Sequence, residues 1–97
     1  MKHIKRNEIV NMPKPLTSAQ IRAARALVRW SAEDLALHSA LGVTTIRRAE
    51  LTENETSMTA ANNHAVRRAL EAAGVEFIDE NGGGPGVRLC KRQKKKD

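Results

Sequence analysis

Aromatic residues are nearly missing from this 97-residue chain: Trp30 and Phe77 are the only two, and there is no tyrosine. A core made without them must come from Ala, Leu, Ile and Val, which favours packed helices. A single cysteine, Cys90, excludes an internal disulfide and fits a reducing compartment. No apolar run approaches the length needed to cross a membrane, and residues 1–14 lack the apolar stretch of a secretion signal. The expectation is a cytoplasmic protein with no membrane partner. At this length a single small domain is expected, with little room for an active-site cleft.

Charge is plentiful but unevenly placed. The net charge is +6. Residues 1–14 hold Lys2, Lys5, Arg6 and Lys14 against Glu8, and residues 88–97 hold Arg88, Lys91, Arg92 and Lys94 to Lys96 against Asp97. The stretch between them is slightly acidic. The basic excess therefore lies in a mobile N-terminal arm, 1–14, and a solvated tail, 91–97. Both suit sequence-independent attraction to a polyanion, and neither identifies a binding surface.

Along the chain, Thr17 and Gln20 have capping-box spacing at the start of a helix over roughly 18–29. Ile21, Ala24, Leu27 and Val28 then form its apolar stripe. Ser31 caps a second helix running to about Ser39, with Asp34 favourably placed in its first turn. Trp30 and Leu35 have the spacing of a hydrophobic staple. The turn "ALG" leads to a third helix over roughly 43–51. After the polar loop "LTENETSM", Thr59 caps a fourth helix striped by Val66, Ala69, Leu70 and Ala73 and closed by Gly74. "VEFID" and "GVRLC", separated by "ENGGGP", read as a β-hairpin over 75–90. The fold class expected is mainly α: four helices over 15–74 followed by a hairpin.

Two short helices joined by a three-residue turn, between two further helices, form the helix-turn-helix pattern. The run "SAEDLALHSALGVTTIRRAE" resembles the phage-repressor, Cro-like family of DNA-binding regulators (the xenobiotic-response-element type) over about 17–74. Leu35, Ala36, Leu41 and Ile46 stand at its apolar positions. The resemblance implies a structural ion pair between Arg25 and Glu50. It also implies a recognition helix over about 43–51 in the major groove of double-stranded DNA, with Ser31 on the DNA backbone.

The chain departs from the family at two places. Glycine is usual where this chain has Ala40, so either alanine adopts a left-handed conformation at a cost of about 1 kcal/mol or the turn is rearranged around Gly42. The segment after the recognition helix contains Glu53 and Glu55, which would repel DNA if they faced it.

The adjacent arginines, Arg47 and Arg48, take different directions on a helical wheel. With Ile46 inward, Thr44 and Arg48 lie at about 160° and about 200°, while Thr45 and Arg47 fall on the flanks at about −100° and about 100°. Arg48 is expected to read a base edge, guanine by a bidentate contact, with Thr44 beside it and Val43 offering a methyl contact. Thr45 and Arg47 are expected on the phosphate backbone, Arg47→Ala lowering the salt slope by about one unit. Arg67 and Glu71 have the spacing of a surface pair.

Other chemistries find no support. His3, His38, His64 and Cys90 lack metal-ligand spacing, and "NGGGPG" is followed by neither Lys-Ser/Thr nor a helix start. No metal, cofactor or enzymatic activity is expected. The leading expectation is a sequence-specific transcriptional regulator acting as a homodimer, with the hairpin padding the core or joining two chains; we favour joining. The alternatives are a DNA-binding antitoxin with a toxin partner, and a protein-binding adaptor with loose nucleic-acid contacts.

Overall fold

The computed structural model describes residues 14–90. The tail read over 91–97 and the arm read over 1–14, apart from Lys14, lie outside the described residues. Within them are four helices, α1 Ser18–Val28, α2 Ala32–Ser39, α3 Val43–Ala49 and α4 Ala60–Ala72, then β1 Val75–Ile78 and β2 Gly86–Leu89. About half of the described chain is helical. No described helix is long and apolar enough to cross a membrane.

Local sequence explains the helix starts. The Thr17 hydroxyl accepts from the Gln20 amide at 3.0 Å while the Gln20 side chain accepts from the Thr17 amide at 2.9 Å. Ser31 and Asp34 repeat this reciprocal arrangement at α2, with Asp34 in the place usually held by Glu or Gln. Thr59 caps α4 through the Asn62 amide. At α3 the cap is Gly42, which has no side chain to contribute.

Both α1 and α2 end on a left-handed residue that is not glycine: Arg29 has φ 61° and Ala40 has φ 62°. The paired bonds from Ala40 N–H to Leu37 and from Leu41 N–H to Ala36 close α2. Gly42 is in ordinary extended backbone, so the turn keeps its left-handed position and alanine occupies it. Gly74, with φ 109°, ends α4 as expected.

The core gathers Leu16, Ile21, Ala24, Leu35, Ala36, Ile46, Ala49, Val66, Leu70 and Val75. Leu16 precedes the α1 cap and Ile21 lies in its second turn, the spacing of a staple, and both are buried. Leu27 departs from the expected stripe and is 39% exposed. It lies about 120° around the helix from Ile21. The hairpin covers Gln20 on that same flank seven residues earlier, whereas Leu27 remains open. Trp30 packs at the edge of the core, and its ring stacks on His38 with centroids 4.2 Å apart.

The hairpin pads the helical core. β1 and β2 pair antiparallel in the register Val75↔Leu89 and Phe77↔Val87. Val75 is buried in the cluster, and Phe77 and Val87 pack against it. The Gln20 side-chain Nε2 donates to the carbonyls of Ile78 and Gly86, pinning both strands to α1. Arg67, read as a surface residue, is largely covered: its side chain is 12% exposed and lies over the Phe77 ring at 5.0 Å. It keeps the expected Glu71 partner at 3.6 Å and reaches Asp79 at 3.8 Å.

Candidate nucleic-acid interface

Helix α3 is only two turns long, so its direction depends on anchors outside it. Ile46 and Ala49 are buried on its inner side. At its end Glu50 accepts two hydrogen bonds from Arg25, from Nε at 2.6 Å and Nη2 at 2.8 Å. Arg25 also donates to the carbonyl of Trp30, and Arg22 donates to the carbonyl of Glu50 at 2.6 Å. The Arg25–Glu50 pair implied by the family resemblance is therefore present, and two arginines of α1 hold the end of α3. Hydrogen bonding to Glu50 is the largest influence holding the Arg25 guanidinium above its ordinary pKa, and burial opposes it.

With its inner side fixed, α3 turns Thr44, Arg47 and Arg48 outward, all exposed, while Thr45 is half-buried. Arg48 has no hydrogen bond or ion pair among the described residues. Beside it an open hollow of about 200 Å³ is lined by Thr45, Arg48, Ser57, Met58, Thr59 and Asn62. Val43 is half-buried and packs against the core edge, so only part of its methyl surface faces out. Ser31 is exposed, with its hydroxyl oxygen engaged as the α2 cap.

Arg47 differs from its neighbour. Its Nη2 donates to the carboxylate of Glu33, in the first turn of α2, and both side chains are more than half exposed. Fourteen residues separate the partners, and no local spacing rule joins them. That contact was not legible in the sequence.

The loop after α3 is drawn towards the start of α1. Ser18 N–H donates to the carbonyl of Asn54, Thr56 N–H donates to that of Leu16, and the Ser18 hydroxyl donates to the carbonyl of Thr52. Glu53 and Glu55 consequently border hollows shared with Thr17, Gln20 and Pro85, and neither borders the one beside Arg48. The buried Asn63 supports the same loop, donating to the Thr56 hydroxyl and accepting from the Leu16 amide. Sequence reasoning passed over these buried polar residues, since their partners are remote in the chain.

No group of three or more His, Cys, Asp or Glu side chains suited to a metal ion occurs among the described residues. Compared with protein-family models and with curated proteins, the chain matches none.

Proposed function

We propose that this chain is a helix-turn-helix protein that binds double-stranded DNA, with α2 and α3 as the paired helices. Within that class, it acts as a sequence-specific transcriptional regulator with a repressor-like fold, non-enzymatic and cytoplasmic. The observation that carries the reading is the outward face of α3. It offers Thr44 and Arg48, the latter without a partner among the described residues, one turn apart on a helix whose inner side is locked by Ile46, Ala49 and the Arg25–Glu50 pair. A short helix held this firmly, with Thr44 and Arg48 exposed on its other side, suits insertion into a major groove.

In this reading Arg48 and Thr44 read base edges, with Val43 giving a partial methyl contact. Thr45 and Ser31 lie against the phosphates, and Arg47 sits on the flank. The carboxylates of Glu53 and Glu55 border hollows other than the one beside Arg48, which removes one objection to the reading. The basic arms add affinity that is independent of sequence.

Selecting bound fragments from random duplex DNA, then measuring binding on single-base variants of the selected site, tests the proposal. Arg48→Ala should cost about 1–3 kcal/mol on the preferred site and relax discrimination at one base pair. Uniform weakening with the ranking intact defeats the assignment of Arg48.

One recognition helix reads few base pairs, so a homodimer on half-sites about 34 Å apart belongs to the same proposal. The β2 edge supports it. Cys90 N–H donates to Gly74 at 2.8 Å, and with the strand register this directs the N–H and C=O groups of Val87 and Leu89 away from β1. Such an edge is suited to pairing.

A further inference from the structure

Two adjacent arginines on one helix are in different electrostatic states. Arg48 has no partner among the described residues, whereas Arg47 is engaged by Glu33 across the α2–α3 corner. The Arg25 pKa is raised first by its hydrogen bond with Glu50 and only least by the charge of Glu33, so Arg25 is a second cation that Glu33 faces.

We infer that Glu33 is a positioning residue for Arg47 and that it restrains sequence-independent DNA affinity. The inference rests on the DNA-binding reading. A guanidinium carries five N–H donors in a planar fork, and Glu33 engages Nη2, leaving donors at Nε and Nη1 for a phosphate. The pair as a whole is neutral. A phosphate contact made by a neutral pair displaces few counterions and adds little salt-dependent attraction. Holding Arg47 in place also lowers the ordering cost of a contact that requires one fixed position.

These two effects act differently on the two modes of binding. On random sequence no register is fixed, pre-ordering brings no gain, and cancellation of the Arg47 charge weakens the complex. On the preferred site α3 is seated in one register, so pre-ordering offsets part of the lost charge. Glu33 thereby widens the gap between specific and non-specific binding. Arg47→Ala uncovers the Glu33 carboxylate, so its salt slope should still fall by about one unit.

The test uses the full chain as wild type, Glu33→Gln, Arg47→Ala and the double variant. Affinities are measured for the selected site and for random-sequence duplex across a salt series. Both side chains are exposed and surface pairs contribute little to stability, so all four proteins should fold, as thermal unfolding checks. Glu33→Gln should bind random duplex about three- to tenfold tighter at low salt, with a slope steeper by about one unit. The selected site should gain less, so the ratio of the two affinities falls. In the Arg47→Ala background Glu33→Gln removes only a lone carboxylate, so it should raise both affinities alike and leave their ratio unchanged.

An undiminished fall of the ratio in that background overturns the inference, because Glu33 would then act without Arg47. A Glu33→Gln effect confined to the ranking at one base pair overturns it also, since Glu33 would be reading a cytosine amino group. A wild-type chain with sequence preference but no Glu33→Gln change in slope defeats this inference alone. A wild-type chain that binds no duplex defeats the DNA-binding reading, and the inference with it.

Discussion

Arg25 and Glu50 meet through two hydrogen bonds, of 2.6 Å and 2.8 Å, that join α1 to the end of α3. Glu50 is 9% exposed and the Arg25 side chain 22% exposed, so each charge depends on the other for solvation. Removing one partner strands the other in a poorly hydrated place. Glu50→Ala should therefore destabilise the fold by about 2–4 kcal/mol, somewhat below the cost at a fully buried pair. Urea unfolding measures this. Arg25→Lys should also destabilise, because an ammonium group cannot reproduce the fork that spans both carboxylate oxygens and the Trp30 carbonyl.

Ala40 is exposed and left-handed, and so is Arg29. Each bears a steric cost of about 1–2 kcal/mol that glycine would avoid. Glycine also gives freedom to the unfolded chain, which removes part of that gain. Ala40→Gly and Arg29→Gly should each stabilise by about 0.5–1 kcal/mol, raising Tm by a few degrees in a domain of this size. A fall in Tm for Ala40→Gly would contradict the left-handed assignment.

The Asp34 carboxyl is held below its ordinary pKa first by the Ser31 backbone amide and then by the Ser31 hydroxyl. The folded chain thus keeps Asp34 ionised where the unfolded chain takes up a proton. The resulting stability is complete above the ordinary carboxylate range, near about 4, and is lost as pH falls through the lowered folded value. Asp34→Asn should reduce Tm at neutral pH, and the gap from wild type should narrow on acidification. The Glu76 carboxyl, lowered by its hydrogen bond from Arg88, adds to the same acid limb. Thermal unfolding across pH checks the convergence.

Leu89, 43% exposed at the β2 edge, gives a clean test of self-association. Deleting the whole hairpin would remove Val75 from the core and confuse unfolding with dissociation. If two chains join through this edge, Leu89→Glu should lower the dimer fraction by more than any loss of monomer stability, read as Tm at low concentration, accounts for. Sedimentation equilibrium of wild type and variant decides it. A monomeric wild type at tens of micromolar, or a dimer unchanged by Leu89→Glu, would remove β2 from the interface.

Local signals determined much of this protein. Thr17 with Gln20, Ser31 and Thr59 mark helix starts because a cap acts within one turn. Gly74 marks a stop, and the glycines of "ENGGGP" mark a turn, because positive φ suits glycine. The period of Ile46, Ala49 and Glu50 placed Thr44 and Arg48 on the outer side of α3, since that is a property of one helix. Tertiary structure alone decided what joins remote segments. It put Ala40 in the left-handed turn where the sequence left two arrangements open, covered Arg67 with the hairpin, and drew Glu53 and Glu55 towards α1. It also gave Arg47 a carboxylate partner and left Arg48 without one among the described residues. Such pairings depend on where two helices cross, and no spacing within a single helix encodes that crossing.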